Sequence, residues 1–195
     1  MDLETINKLG TSALQPEFDK VDAIKTYDDL ASYFAYVNKY DVCVPLSLFV
    51  YQDFKNPTVY TLYTWQEGLG LPDRDYYLKD DERSKQIRAP YVEHISKMFD
   101  LAGLPDAEKA SATIMSIETA IAEKHLEKEK TRDLVSLYSM FPTDTFSNIM
   151  PSLNWSAYPQ EAGMKDEKNL GVLVRPPFTI GKRNMGVLGS LNYAG

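Results

Sequence analysis

The segment Gly68-Leu69-Gly70-Leu71-Pro72-Asp73-Arg74-Asp75-Tyr76-Tyr77 divides this chain into two kinds of pattern. Before it, Val44, Leu46, Leu48 and Val50 alternate with Pro45, Ser47, Phe49 and Tyr51, and Val59, Thr61, Tyr63 and Trp65 alternate with Tyr60, Leu62 and Thr64. Period-two alternation marks strands, and Lys55-Asn56-Pro57 between the runs supplies the turn of a β-hairpin. Large residues on both of its faces predict packing on each side. After the segment, Ile87, Tyr91, Ile95 and Met98, then Ala110, Ile114, Ile117 and Ile121, recur at helical spacing. The glycines and proline at the divide permit tight turns and close approach of neighbouring chain, so the connection reads as built structure.

Boundary residues define the remaining elements. Asp80 and Asp81 suit the start of the first long helix and Gly103 its end, while Pro90 predicts a kink or a break near Ala89. The second long helix follows Asp106, and its charged continuation from Glu123 to Arg132 reads as solvated helix surface. Upstream, Leu3, Ile6 and Leu9 mark a short helix ended by Gly10, and Phe18, Val21 and Ile24 a second one after a loop containing Pro16. Thr26 with Asp29 resembles a capping box ahead of a helix whose buried stripe is Leu30, Phe34 and Val37, ending near Asn38. Downstream, Leu134 to Phe141 forms a packed segment and Thr143 to Met150 a short helix. Asn154 caps a further turn that Pro159 shortens, Gly171 to Val174 forms a short strand, and residues 179–195 lack periodicity. The fold class is therefore mainly α with one β-hairpin, an α+β arrangement.

Bulk properties exclude some functions. The 195 residues carry a net charge of −7, and the Lys and Arg residues form no long run, which argues against nucleic acid or an anionic membrane as partner. Cys43 is the single cysteine, so no disulfide forms within the chain, and its valine neighbours predict a small buried strand residue. No apolar run reaches the length of a membrane span, and Met1-Asp2-Leu3-Glu4 lacks the features of a signal peptide; as written, the chain reads as cytoplasmic.

The ordered string Gly70-Leu71-Pro72-Asp73-Arg74-Asp75-Tyr76-Tyr77 resembles the Gly-Leu-Pro-x-Arg-Asp-Tyr-Tyr signature of the neprilysin and endothelin-converting-enzyme family of zinc metallopeptidases, including its bacterial oligopeptidase members. The Ile117-Glu118-x-x-Ile121-Ala122 helix and Leu153-Asn154-Trp155-Ser156-Ala157-Tyr158 are similar to the family in the same order. This resemblance implies that residues 1–166 are part of the family's helical, non-catalytic N-terminal domain, followed by a short strand and irregular tail over 167–195. It further implies that Gly70, Leu71, Pro72, Arg74, Asp75, Tyr76 and Tyr77 form a structural hub, with Arg74 anchoring its neighbours bidentately or, as the sharper alternative, facing substrate. Full-length family members act on oligopeptides and are usually secreted, periplasmic or membrane-anchored.

The family's zinc is held by an H-E-x-x-H helix, whose histidines share one face, and by a later glutamate. The only histidines here are His94 and His125, neither followed by that pattern, and both read as ordinary helix residues. No catalytic residue, metal ligand or cofactor is therefore assigned to this chain, and zinc belongs to the full-length family. The expectation is a part of a zinc metalloendopeptidase that encloses substrate, is inactive alone and has the missing catalytic domain as partner. The alternatives are a peptide-binding module without catalysis, or a degenerate fragment with no maintained role.

Overall fold

The computed structural model describes residues 2–143, 158–163 and 169–172. The helices are α1 (Leu3–Leu9), α2 (Gln15–Asp22), α3 (Tyr27–Asn38), α4 (Asp75–Leu78), α5 (Glu82–Ala102), α6 (Ala107–Ala122), α7 (Leu134–Leu137) and α8 (Tyr158–Glu161). The strands are β1 (Leu46–Gln52), β2 (Tyr60–Gln66), β3 (Ser139–Pro142) and β4 (Asn169–Val172). Among the described residues, no helix is long and apolar enough to cross a membrane. The predicted helix over Thr143 to Met150 beyond its first residue, the Asn154 cap and the tail beyond Val172 lie outside the described residues.

Local chemistry explains the N-terminal helices. The Asp2 carboxylate caps α1 by accepting from the Glu4 and Thr5 amides, and Gly10 ends that helix at φ +52°. Pro16 lies inside the first turn of α2 instead of in a loop, where its missing N–H costs no helical hydrogen bond. The Thr26 and Asp29 capping box forms in both directions. On α3 the buried residues are Ala31, Ala35 and Val37, with Ala35 in the core shared with the sheet, while Leu30 and Phe34 are half-buried. Of the predicted stripe, Val37 is buried, and Ala31 and Ala35 are buried more deeply than Leu30 and Phe34.

The hairpin forms with Leu46 opposite Gln66 and Gln52 opposite Tyr60. It belongs to a four-stranded sheet ordered β1-β2-β4-β3, with β4 parallel to β2 and antiparallel to β3. The segment after residue 166 thus contributes an interior strand. Gly171 is required there, because a Cβ at this position would enter the Tyr63 ring. Ala35, Leu62, Tyr158, Leu170 and Val172 form the core between sheet and helices. Packing on both faces holds only near the start of the hairpin: Val50, Tyr51 and Tyr60, beside the turn, are exposed. The turn is closed by Asp53, whose carboxylate accepts from the Lys55 and Asn56 amides and from the hydroxyls of Tyr63 and Tyr138, all within 3.1 Å. Burial opposes ionisation of this carboxyl, yet the donors together hold it below the usual carboxylate range.

The second layer is α5 packed on α6. Asp81 caps α5, and Gly103 closes it in the left-handed conformation at φ +70°. Pro90 does not divide the helix, which is continuous over 21 residues. Packing on both sides of the proline offsets one missing backbone donor: Ile87 and Tyr91 join the second core, and Arg88 Nη1 donates to the carbonyls of Tyr76 and Lys79, each at 2.8 Å. The predicted continuation of α6 to Arg132 is not helical beyond Ala122. The chain turns there and forms only a short 3-10 segment at Lys130–Arg132. Arg74 of the central turn bonds the Ala122 carbonyl, and Gln66 at the end of β2 bonds the Leu126 backbone, holding the redirected chain.

Candidate functional site: the cleft beside the central turn

The turn from Gly68 to Tyr77 is held by contacts that require its residue types. Gly68 sits at φ +91°, and a Cβ there would stand 2.8 Å from Pro45 Cα. A Cβ on Gly70 would collide with the Tyr91 hydroxyl. Leu71 and Tyr77 are buried with Ala122, and Leu69, Tyr76, Ile87, Tyr91 and Met115 pack around them. Pro72 is exposed at the apex.

Two tyrosines and one carboxylate tie the turn to α6. The Leu71 amide donates to the Tyr77 hydroxyl at 2.8 Å, and that hydroxyl donates to Glu118 Oε2 at 2.6 Å. The Tyr91 hydroxyl reaches both oxygens of Glu118 at 3.0 Å. Burial first, then the neighbouring carboxylate, pushes the Tyr91 hydroxyl up to about 12 and raises Tyr77 as well, so both remain donors. Glu118 was recognisable only as part of the Ile117-Glu118-x-x-Ile121-Ala122 similarity.

Asp73-Arg74-Asp75 is not an internal ion cluster. Asp73 accepts from the Asp75 amide at 2.9 Å just ahead of α4 and lies 3.7 Å from Lys128, while Asp75 pairs with Lys79 at 2.6 Å. Arg74 Nε donates to the Ala122 carbonyl at the end of α6 at 3.2 Å, and Nη1 lies 3.9 Å from Glu127. Its contacts go to two separate partners, with no bidentate pair among the described residues. Cys43, expected inside a strand, is exposed ahead of β1, because the strand starts only at Leu46. Its Sγ accepts the Gly68 N–H at 3.2 Å.

The turn forms one wall of a cleft of about 530 Å³, and residues 125–131 form part of the other. Trp65, Leu69, Leu71 and Leu126 supply apolar lining; Glu67, Arg74, His125 and Lys128 supply polar lining. Two clamps fix the walls. The Gln66 amide accepts from the Leu126 N–H at 2.8 Å and donates to its carbonyl at 3.4 Å, while His125 Nε2 contacts the Glu67 carbonyl at 3.1 Å. His125 is therefore a buried residue past the helix end, and sequence periodicity alone did not mark it. Burial pushes its pKa down, the bond to Glu67 opposes this, and Arg74 adds to the lowering.

These residues do not fit a zinc site. His94 is exposed on α5, whereas His125 is buried beyond the end of α6 and engages a backbone carbonyl. Among the described residues, no group of three or more His, Cys, Asp or Glu side chains is arranged to hold a metal ion.

Comparison with known proteins joins these features. Endothelin-converting enzyme 1 of Bos taurus is 28% identical over 155 residues, covering 78% of this chain and 20% of that protein. Its Homo sapiens counterpart is 32% identical over 112 residues, covering 56% of this chain and 14% of that protein. The chain thus spans a fifth or less of the length of these relatives. Among solved structures, Mycobacterium tuberculosis zinc metalloprotease Zmp1 in complex with inhibitor superposes with a TM-score of 0.82 at 24% identity, covering 95% of this chain and 28% of that one. PepO from Lactobacillus rhamnosis gives 0.71 at 15% identity, covering 91% and 28%. The pattern describing the N-terminal part of peptidase family M13 matches residues 1–182, from α1 through the turn, its cleft and the interior strand β4. A match of that extent, on a fold shared with Zmp1 and PepO, shows that the chain belongs to peptidase family M13.

Proposed function

We propose that this chain supplies the substrate-enclosing part of a zinc-dependent metalloendopeptidase that acts on oligopeptides, and that the hydrolytic zinc is held by a separate catalytic portion of the M13 fold. The chain alone is then inactive, and its partner is that catalytic portion. The family match over residues 1–182 carries this reading. Support also comes from the histidines, which occupy different elements and lack the spacing that puts two imidazoles on one helix face. In this role the hub around Arg74 and Tyr77 gives the enclosing wall a fixed shape.

A peptide-binding role without catalysis is favoured by one observation: the cleft is preformed, and its volume falls within the range of small-ligand sites. Either reading is separated from a self-sufficient enzyme on the purified chain. Zinc content and hydrolysis of a short unstructured peptide are measured together, and the expected result is no stoichiometric zinc and no cleavage. One tightly bound zinc per chain with unaided cleavage would overturn the proposal.

A further inference from the structure

Arg74 has more hydrogen-bond donors than the surrounding protein satisfies. A guanidinium offers five N–H donors in a planar fork. Among the described residues, Nε is bonded to Ala122, whereas the nearest acidic oxygen to Nη1 is the Glu127 oxygen at 3.9 Å, beyond hydrogen-bond reach. The side chain lines the cleft with 21% of its surface exposed. A half-buried guanidinium whose Nη donors meet no protein acceptor within hydrogen-bond reach among the described residues is suited to an arriving acceptor, and a planar carboxylate matches the fork.

The rest of the cleft supports the same ligand chemistry. Lys128 stands on the lining with its side chain 63% exposed, and its 3.7 Å contact with Asp73 is a weak surface pair. Of the acidic neighbours, Glu127 is half-exposed and 3.9 Å away, and among the described residues Glu67 forms no ion pair with Arg74. Trp65, Leu69 and Leu126 offer apolar surface for the body of a ligand. The Gln66 and His125 clamps set the walls beforehand, so little ordering remains to be done on binding.

We propose that this cleft binds an extended peptide by a carboxylate, whose two oxygens accept from the Nη donors of Arg74 while Lys128 adds a second positive charge. This deepens the reading of the chain as the peptide-enclosing part of a peptidase. The carboxylate is either the C-terminus of the peptide or an acidic side chain.

The test is calorimetric titration of the 195-residue chain with three probes: free-acid tetra-alanine, its C-terminal amide, and an acetylated, amidated tetrapeptide with one glutamate. A carboxylate-bearing probe is expected to bind at least about tenfold tighter than the neutral amide, the increment of a charge-assisted bidentate pair. Whichever acid binds identifies the source. Arg74→Lys is expected to lose about tenfold, because an ammonium cannot present two parallel donors. Lys128→Gln, at an exposed position that leaves the fold intact, is expected to lose a few-fold and to reduce the salt dependence. Equal binding of acid and amide, unchanged affinity in both variants, or no saturable binding of any probe would overturn the cleft assignment alone. Cleavage of a probe by the chain itself would instead overturn the functional reading beneath it.

Discussion

The Tyr77 hydroxyl donates to Glu118 across 2.6 Å, joining α4 to α6 over 41 residues of sequence. The same oxygen accepts the Leu71 amide, so one phenol links the turn, the short helix and the long helix. Tyr77→Phe keeps the ring and removes both bonds, leaving the Leu71 N–H without its acceptor and Glu118 with only the Tyr91 hydroxyl of the two tyrosine donors. The expected cost is about 1–3 kcal/mol, seen as a melting temperature lowered by about 2–10 °C. Tyr91→Phe is expected to cost less, because Tyr77 continues to donate to Glu118 and no backbone amide loses its acceptor.

The sequence marks this hub without revealing its geometry. The run from Gly70 to Tyr77 shows that the turn is specified, and the hairpin, the capping box and both long helices follow from periodicity. The partners of the hub are not legible: Glu118, Arg88 and Ala122 meet it through contacts that cross the chain. Strand β3 escaped because four residues ending in proline carry too little alternation, and β4 became an interior strand only through its partners. The end of α6 was misread because helix-forming residues continue to Arg132, while tertiary bonds at His125 and Leu126 redirect the backbone.

Gly70→Ala tests close approach. Its methyl group would enter the space of the Tyr91 hydroxyl, with an expected loss of about 1–3 kcal/mol. Combining it with Tyr91→Phe removes the colliding atom and is expected to recover part of that loss in urea unfolding. Gly68→Ala is expected to be at least as damaging and not rescued this way, since it meets the Pro45 backbone at a positive φ.

Acid sensitivity should reside partly in His125. Burial lowers its folded pKa from the ordinary value of 6.5, so the unfolded chain binds this proton more readily than the folded one. Stability is therefore full above about pH 6.5 and falls as pH decreases through the folded value. Urea midpoints measured between about pH 7.5 and pH 5 should decline, and His125→Gln should flatten that part of the curve. An unchanged slope in the variant would assign the decline to other groups.

Asp53→Ala should loosen the hairpin specifically. It removes the acceptor shared by two turn amides and two tyrosine hydroxyls, so hydrogen exchange is expected to accelerate at Lys55 and Asn56 before it does in α5. Uniform acceleration in both regions would show that the turn and the helical layer open together.

The most direct measurement of the functional account is reconstitution. The purified chain is mixed with the zinc-bearing catalytic portion of an M13 peptidase lacking the corresponding N-terminal part, and hydrolysis of a short fluorogenic peptide is followed. The account predicts turnover when both are present and none from either alone. Turnover by the chain by itself, or no gain on mixing, would contradict it.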